Sequence, residues 1–264
     1  MLDLISFFQN LSNGILIGAV YALIGVGLTL VFGVMRTINF AHGDFVVVGM
    51  YFAVLLNSIL GWDPYLTLIV AIPMGFIVGA MIQKYLLSRV IDEKHESMLL
   101  ATLGISLVIA NLLLLTFGGE PQSVHVSYST STLQVSDVRI SVVLLLAGLA
   151  TIVVITALYL LLNKTEIGRA IRATAENRLG AELVGVNTKR IQAIVFGLGM
   201  CLAVTAGVSL IPLLFASPVT TGALFTLKAF VVTVLGGLGN IGAAIMGGLV
   251  LGIVEVMAEA HPDS

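Results

Sequence analysis

Between two long apolar runs the sequence reads INFAHGDF, residues 38 to 45. Asn39, His42 and Asp44 fall close together there, and an imidazole beside a carboxylate is the usual raw material of acid–base catalysis or metal binding. Their spacing argues against both. His42 and Asp44 stand at i and i+2, so on a helix they point apart. No second histidine sits at metal-ligand spacing, and neither GxSxG nor HExxH occurs. No residue is therefore assigned as catalytic and none as a metal ligand. The bland reading makes Asn39 an N-cap for the next helix, with Asp44 in its first turn where the positive end favours an acid. His42 then touches an interface or a neighbouring loop. Cys201 is the one cysteine and lies in an apolar run. It can form no internal disulfide or CxxC pair and reads as a packing residue. His125, in a polar stretch, reads as solvated.

Two further charges are conspicuous. Lys228 and Glu255 both fall in apolar segments. A charge at membrane depth is costly and normally faces a partner, an interior or a water path. The two either pair across facing elements or each reaches to an interface. Between them lies GLGNIG, Gly237 to Gly242, which matches GxGxxG. A dinucleotide site needs that motif at a strand-to-helix turn. Here both flanks are apolar, so Gly239 and Asn240 read as a break between helical pieces. Such breaks are tolerated in a membrane only where protein or a water path covers the backbone. No GxxxxGK[ST] occurs, so any nucleotide hydrolysis must come from another chain.

Composition says what must position these residues. Hydrophobic residues make up 58% of the 264-residue chain and charged residues 10%, against about 25% charged in soluble domains. Mean hydropathy is +1.11. The natural solvent is lipid. A net charge of −2 with no basic face excludes nucleic acid as a partner. The first basic residue is Arg36, so no charged region precedes the first apolar stretch, which reads as retained.

The expected fold is all-α, a polytopic transmembrane bundle of about seven or eight segments. Spans are expected near 11–33, 43–60, 65–84, 98–117, 140–162 and 191–214. The stretch 224–258 forms two short spans, or one re-entrant element and one span. The chain is read as a single membrane domain, 1–264, with a long loop at 163–190. Arg36, Lys84, Arg89, Lys94, Lys164, Arg169, Arg172, Arg178, Lys189 and Arg190 all follow odd-numbered spans. By the positive-inside rule the N-terminus lies outside, and loops 34–42, 85–97 and 163–190 lie inside. The outer loop 118–139 is Ser/Thr-rich and suits a small hairpin or an irregular cap. Gly14/Gly18, Gly75/Gly79 and Gly248/Gly252 are small-xxx-small pairs suited to close helix packing. Pro73 and Pro212 are expected to kink spans three and six. Thr102 and Asn111 in span four are polar interior candidates.

The inner loop carries the strongest local signal. TEIGRAIRATAENRLGAELVGVN, Thr165 to Asn187, is rich in helix formers. Ile167, Ala170, Ile171 and Ala175 can line one side, with Arg169, Arg172 and Glu176 at helical spacings and Gly168 and Gly185 near the ends. A structured amphipathic loop suggests a docking surface for a cytoplasmic partner.

Three blocks then carry a resemblance. GRAIRATAENRLGAELVGVN resembles the cytoplasmic coupling segment of bacterial branched-chain amino acid ABC transporter permeases. NGILIGAVYALIGVGLTLVFGVMRTINFAHGDF resembles their N-terminal signature, and LKAFVVTVLGGLGNIGAAIMGGLVLGIVE their C-terminal Gly-rich block. The match runs from about Asn13 to Glu255, and the order of the blocks carries it. The resemblance implies a multi-pass permease of the inner membrane, paired with a second related permease. It implies two cytoplasmic ATPases and a periplasmic substrate-binding protein. ATP is then hydrolysed by partner subunits, and this chain binds no cofactor itself. The implied substrates are leucine, isoleucine and valine, with urea or amides in related systems. Coupling to the ATPases falls on Gly168, Arg169, Arg172, Glu176, Gly185 and Asn187, with Arg172 and Glu176 as the expected docking contacts. Closure of the ATPase pair would move these segments and switch the pathway from outward to inward access. Pathway or gating candidates are Asn39, His42, Asp44, Lys228, Gly239, Asn240 and Glu255. Family chains usually continue past the Glu255 region into another apolar helix and an Arg-Pro-Gly ending. This sequence stops at AHPDS, so either it is truncated or the final span is absent. The rival classes are an ion-coupled secondary transporter, for which Glu255 is almost the only intramembrane acid, and a membrane scaffold.

Overall fold

The computed structural model describes residues 2–90, 95–135 and 138–260. Lys94 and the final residues of AHPDS lie outside them. The helices are α1 (Leu2–Met35), α2 (His42–Leu60), α3 (Pro64–Tyr85), α4 (His95–Phe117), α5 (Val142–Lys164), α6 (Glu166–Glu176), α7 (Arg178–Leu183), α8 (Thr188–Leu210), α9 (Thr221–Gly236) and α10 (Ile241–Glu259). A 3₁₀ turn, Leu87–Arg89, follows α3. Among the described residues seven helices are long and apolar enough to cross a membrane: α1 to α5, α8 and α10. α9, at 16 residues, is shorter. At about 1.5 Å per residue it covers roughly 24 Å, less than a hydrocarbon core of about 30 Å. The expected polytopic helical fold is the observed one.

α1 and α8 form the centre and are the most enclosed spans. α4 turns Leu107, Leu112 and Leu115 outward, a face suited to lipid. Lipid supplies no hydrophobic drive between helices, so close packing must. Gly14 and Gly18 of α1 meet Gly248 and Gly252 of α10, and a Cβ at Gly14 would stand 2.8 Å from the Ile253 Cα. Gly75 and Gly79 of α3 lie on α8, where a Cβ at Gly79 would stand 2.7 Å from the Met200 Cγ. Gly49 of α2 and Gly207 of α8 bring a third pair of backbones together.

The basic segments share one end of the bundle. Arg36 Nη2 donates to the Ala175 carbonyl at 2.8 Å. The Lys84 end of α3 lies beside the start of α8, since Gly79 packs against Gly197. The 118–139 segment contains a hairpin, β1 (Thr132–Val135) antiparallel to β2 (Val138–Ser141), with Thr132 opposite Ser141. Beside it Tyr128 donates to Asp63 Oδ2 at 2.5 Å. Burial, and then that carboxylate, push the Tyr128 phenol well above its ordinary range. His125 is exposed.

Pro73 does sit inside α3. Pro212 does not kink span six: α8 ends at Leu210 and Pro212 lies in the turn beyond. A proline cannot donate to a helix ladder, so a helix ending before it is the cheaper solution.

Adding even a methyl at Gly207 would drive it into the Val46 carbonyl, whereas Gly104 has nothing within 4 Å of an added Cβ. Gly207→Ala is expected to lower the apparent melting temperature of the detergent-purified protein, at a cost of about 1–3 kcal/mol or more. Gly104→Ala should leave it unchanged or raise it. Equal melting curves would contradict the packing account.

Candidate functional site

The opening segment is not a loop at the membrane surface. After Met35 the chain takes a left-handed residue at Arg36 (φ 55°), then runs back along α1. α2 starts where His42 Nε2 lies 2.9 Å from the Ile24 carbonyl of α1. Ile24 precedes the end of α1 by three turns, roughly 16 Å along the axis. Asn39 lies against α8, its Nδ2 3.8 Å from Met200 Sδ, roughly 18 Å beyond the start of that helix. The expected inner loop 34–42 is therefore re-entrant. A short polar segment between apolar runs shows no depth in its own residues; α8 and α9, far away in sequence, bury it.

A second interruption meets the first. From the end of α8 the chain passes Ala216, whose carbonyl accepts from Tyr51 Oη at 3.0 Å and from Gln122 N at 2.9 Å. It then starts α9 in the interior against the first turn of α2. A Cβ at Gly43 would overlap the Gly222 carbonyl, and one at Gly222 would overlap Asp44 Oδ1. These two glycines let the helix starts touch backbone to backbone. The C-terminal stretch is thus an interrupted short helix followed by one span, the second of the two sequence alternatives.

Backbone groups at the break find side-chain partners. Thr226 Oγ1 accepts from Gly43 N at 3.0 Å and donates to the Phe40 carbonyl at 3.1 Å. Thr102 Oγ1 accepts from Phe40 N at 3.2 Å. Asn39 does not cap α2: Ala41 holds that position, and Asn39 Oδ1 accepts from Ala41 N at 3.1 Å. His42 is fully buried. Its Nε2 must donate, since a carbonyl only accepts, and its Nδ1 has no partner among the described residues. Asp44 is 4% exposed and its Oδ2 also lacks a partner. Beside the break lies a half-open groove of about 330 Å³, lined by Ile38, Phe40, Leu103, Ser106, Ala223, Thr226, Leu227 and Phe230, of which Phe40, Leu103, Leu227 and Phe230 are exposed. Thr226 and Ser106 were not singled out by sequence; their only signal is a hydroxyl within an apolar helix.

Lys228 and Glu255 lie elsewhere, on facing helices. Lys228 Nζ is 2.5 Å from Glu255 Oε1 and 2.7 Å from Tyr21 Oη, and Tyr21 donates to Glu255 at 2.9 Å. The ammonium also stands 4.4 Å from the Tyr21 ring centroid. The two side chains remain 28% and 29% exposed. Glu255 is roughly 21 Å along α10 from its start, so this cluster lies toward the end opposite the basic segments. Gly239 and Asn240 form the turn between α9 and α10 at the basic end. Gly237 and Gly239 take φ of 82° and 88°, open to glycine, and Asn240 caps α10 by accepting from Ala243 N at 3.1 Å. Helices on both sides leave no strand for a dinucleotide site. Asn39, His42 and Asp44 share one buried segment but turn to different helices, toward Met200 of α8, Ile24 of α1 and Gly222 of α9.

The 163–190 loop folds as the short helices α6 and α7. Thr165 caps α6 through Gly168 N at 3.1 Å, Asn177 caps α7 through Gly180 N at 2.9 Å, and Asn187 caps α8 through Arg190 N at 3.0 Å. α6 buries Gly168, Ile171 and Thr174. Gly168 is pressed against the Leu162 carbonyl, where no side chain fits. Gly185 turns the chain at φ 89°. Arg172 Nη1 donates to that same Leu162 carbonyl, an internal tie. Arg169 pairs with Glu166 at 3.2 Å, exposed, and Glu176 is exposed. Sequence reading missed the most exposed part of this surface: Leu179, Leu183 and Val184 are 73%, 89% and 79% exposed. Their signal was three apolar residues beside charges outside every span.

A bundle with two abutting helix breaks in its interior and a helical loop at its basic end is the architecture of a polytopic membrane permease. The chain belongs to the family described as branched-chain amino acid transport system / permease component, whose model matches residues 10–262. It is 31% identical to the high-affinity branched-chain amino acid transport system permease protein LivH of Salmonella typhimurium LT2, over 97% of this chain and 87% of that one. LivH of Escherichia coli K12 is 32% identical over the same shares. BraD of Pseudomonas aeruginosa PAO1 is 30% identical, again over 97% and 87%. No solved structure matches. Family and spans together make it a multi-pass inner-membrane protein.

Breaking one side of a buried ion pair strands the other charge, at about 3–5 kcal/mol for full burial and less at this exposure. Lys228→Met and Glu255→Leu are each expected to lower the yield of folded protein in detergent. The double variant should recover most of it, because it removes both charges. Additive losses, read by size-exclusion profile, would show that the two do not act as a pair.

Proposed function

We propose that this chain is the membrane-spanning permease subunit of an ATP-driven importer that carries leucine, isoleucine or valine. A second related permease completes the pathway, two cytoplasmic ATPases drive it, and a periplasmic binding protein delivers the substrate. The observation that carries the reading is the cavity at the interrupted helices. It is a half-open groove, apolar but for the Ser106 and Thr226 hydroxyls, and about 330 Å³ lies within the range of small-ligand pockets. An aliphatic side chain suits it better than urea, which has no apolar part. LivH and BraD are named as branched-chain amino acid permeases, which agrees with this choice.

The coupling surface follows from exposure. Leu179, Leu183 and Val184 lie at the basic end of the bundle, beyond the spans, where hydrocarbon does not cover them. A protein partner would remove that apolar area from water. Arg169 and Glu176 flank the patch as rim charges, which tune encounter more than affinity. Gly168, Gly185, Asn187 and the Arg172 tie hold the surface in shape. Motion of the docked ATPases would reach the break through α6, which packs on α5 and α1, and through α8, which begins at Asn187.

The test is uptake by the complete importer in proteoliposomes. ATP with loaded binding protein should drive leucine accumulation, and dissipating proton and sodium gradients should leave it unchanged. Replacing Leu183 and Val184 with Asp should cut stimulation of ATP hydrolysis at least tenfold while the permease still folds. Uptake that follows an ion gradient and ignores ATP would overturn the reading.

A further inference from the structure

A second groove, half-open and of about 560 Å³, lies at the basic end of the bundle, away from the helix break. The end of α1 forms its floor, with α5 on one side and the start of α10 on the other. α6 closes its basic end through Ile171, Arg172 and Ala175. The groove is polarised along the helix axes. From Ile155 to the end of α5 it runs roughly 14 Å. Its deeper walls are the apolar side chains of Leu30, Ile155, Leu158 and Ile245. Thr29, also there, donates its hydroxyl to Thr233 at 3.1 Å.

Polar groups gather at the other end. Arg172, Asn163 and the first turn of α10 line it, and the free N–H groups of a helix start carry partial positive charge. Arg172 gives one N–H to the Leu162 carbonyl, is exposed, and makes no ion pair among the described residues. A guanidinium has five N–H donors, so most of them remain. A second guanidinium stands at the same rim: Arg36, also exposed and without an acid partner among the described residues, is tied to the carbonyl of Ala175 on the groove wall. No acidic residue lines the groove among the described residues. Basic pockets between helices on the cytoplasmic side suit anionic lipid headgroups, and the positive-inside rule puts this end there.

We propose that this groove holds an anionic phospholipid of the cytoplasmic leaflet, with its phosphate at Arg172, Arg36 and the start of α10 and an acyl chain between α5 and α10. A cytoplasmic protein would meet the rim but leave the deeper apolar walls bare; an acyl chain covers them. The lipid lies under α6 and bridges it to the start of α10. It thereby steadies the surface assigned above to ATPase docking. That consequence rests on the importer reading; the lipid site itself does not.

The test places the assembled importer in vesicles of phosphatidylcholine and phosphatidylglycerol. A trace of phosphatidylglycerol with a diazirine in its acyl chain is cross-linked by light, and the labelled peptides are mapped by mass spectrometry. The groove-lining parts of α1, α5 and α10 should carry at least fivefold more label than the outward face of α4 around Leu107 and Leu112. The same diazirine chain on phosphatidylcholine should label the two regions alike. Arg172→Gln should cut the groove label at least fivefold and leave the α4 label unchanged. Gly242→Trp should do the same by filling the groove while keeping the Arg172 tie, since a Cβ at Gly242 meets only Asn240 Oδ1, at 3.6 Å. Groove label no stronger than that on α4, equal groove label from the two headgroups, or label that survives both variants would overturn the proposal. Both variants should also lower stimulation of ATP hydrolysis by loaded binding protein at least threefold. Label lost with stimulation unchanged would overturn the bridging role. A parent importer that shows no stimulation yet keeps the headgroup preference would sink the importer reading and leave the lipid site standing.

Discussion

The hydroxyl of Thr226 closes an opening that lipid cannot tolerate. Where α2 and α9 begin inside the membrane domain, the Phe40 carbonyl and Gly43 N–H have no helical partner, and one side chain satisfies both. In hydrocarbon each unsatisfied backbone group costs several kcal/mol. Two interrupted spans can therefore exist only if each covers the other. The close approach of Gly43 to Gly222, the depth of α8 and the contact of Thr102 with Phe40 all serve that mutual cover. The reward is a polar, shaped site at a depth where continuous helices would offer only side chains.

The remaining packing supports this arrangement from outside. α10 lies along α1 through four glycines, and α3 lies along α8 through two more. These contacts hold α1 and α8 as a rigid centre against which the breaks are placed. The Lys228–Glu255–Tyr21 cluster fastens α9 to α1 and α10 toward the other end. Its charges neutralise each other at close range, so neither calls for an outside partner.

Much of this was legible in the sequence. Apolar length gave the spans to within a few residues, except that α1 begins well before residue 11. Basic residues placed three loops at one end, and the glycine pairs fell on real helix contacts. Composition could not show depth. INFAHGDF reads as a surface turn because its polarity is local, while much of its burial comes from α8 and α9, more than a hundred positions away. Thr226 was invisible for the same reason: one threonine in an apolar helix has no signature until its partner is known. Leu179, Leu183 and Val184 were visible as apolar residues outside the spans, but the amphipathic pattern of the preceding helix drew attention to its charges.

The Thr226 hydroxyl carries the closure of the break. Thermal stability and leucine uptake should be measured together for Thr226→Val and Thr226→Ser in the reconstituted importer. Valine keeps the shape and removes both hydrogen bonds, stranding two buried backbone groups at about 1–3 kcal/mol each. Thr226→Val should melt lower and transport at least tenfold more slowly, with Thr226→Ser close to the parent on both. A valine variant that melts and transports like the parent would show that the break is closed by something else.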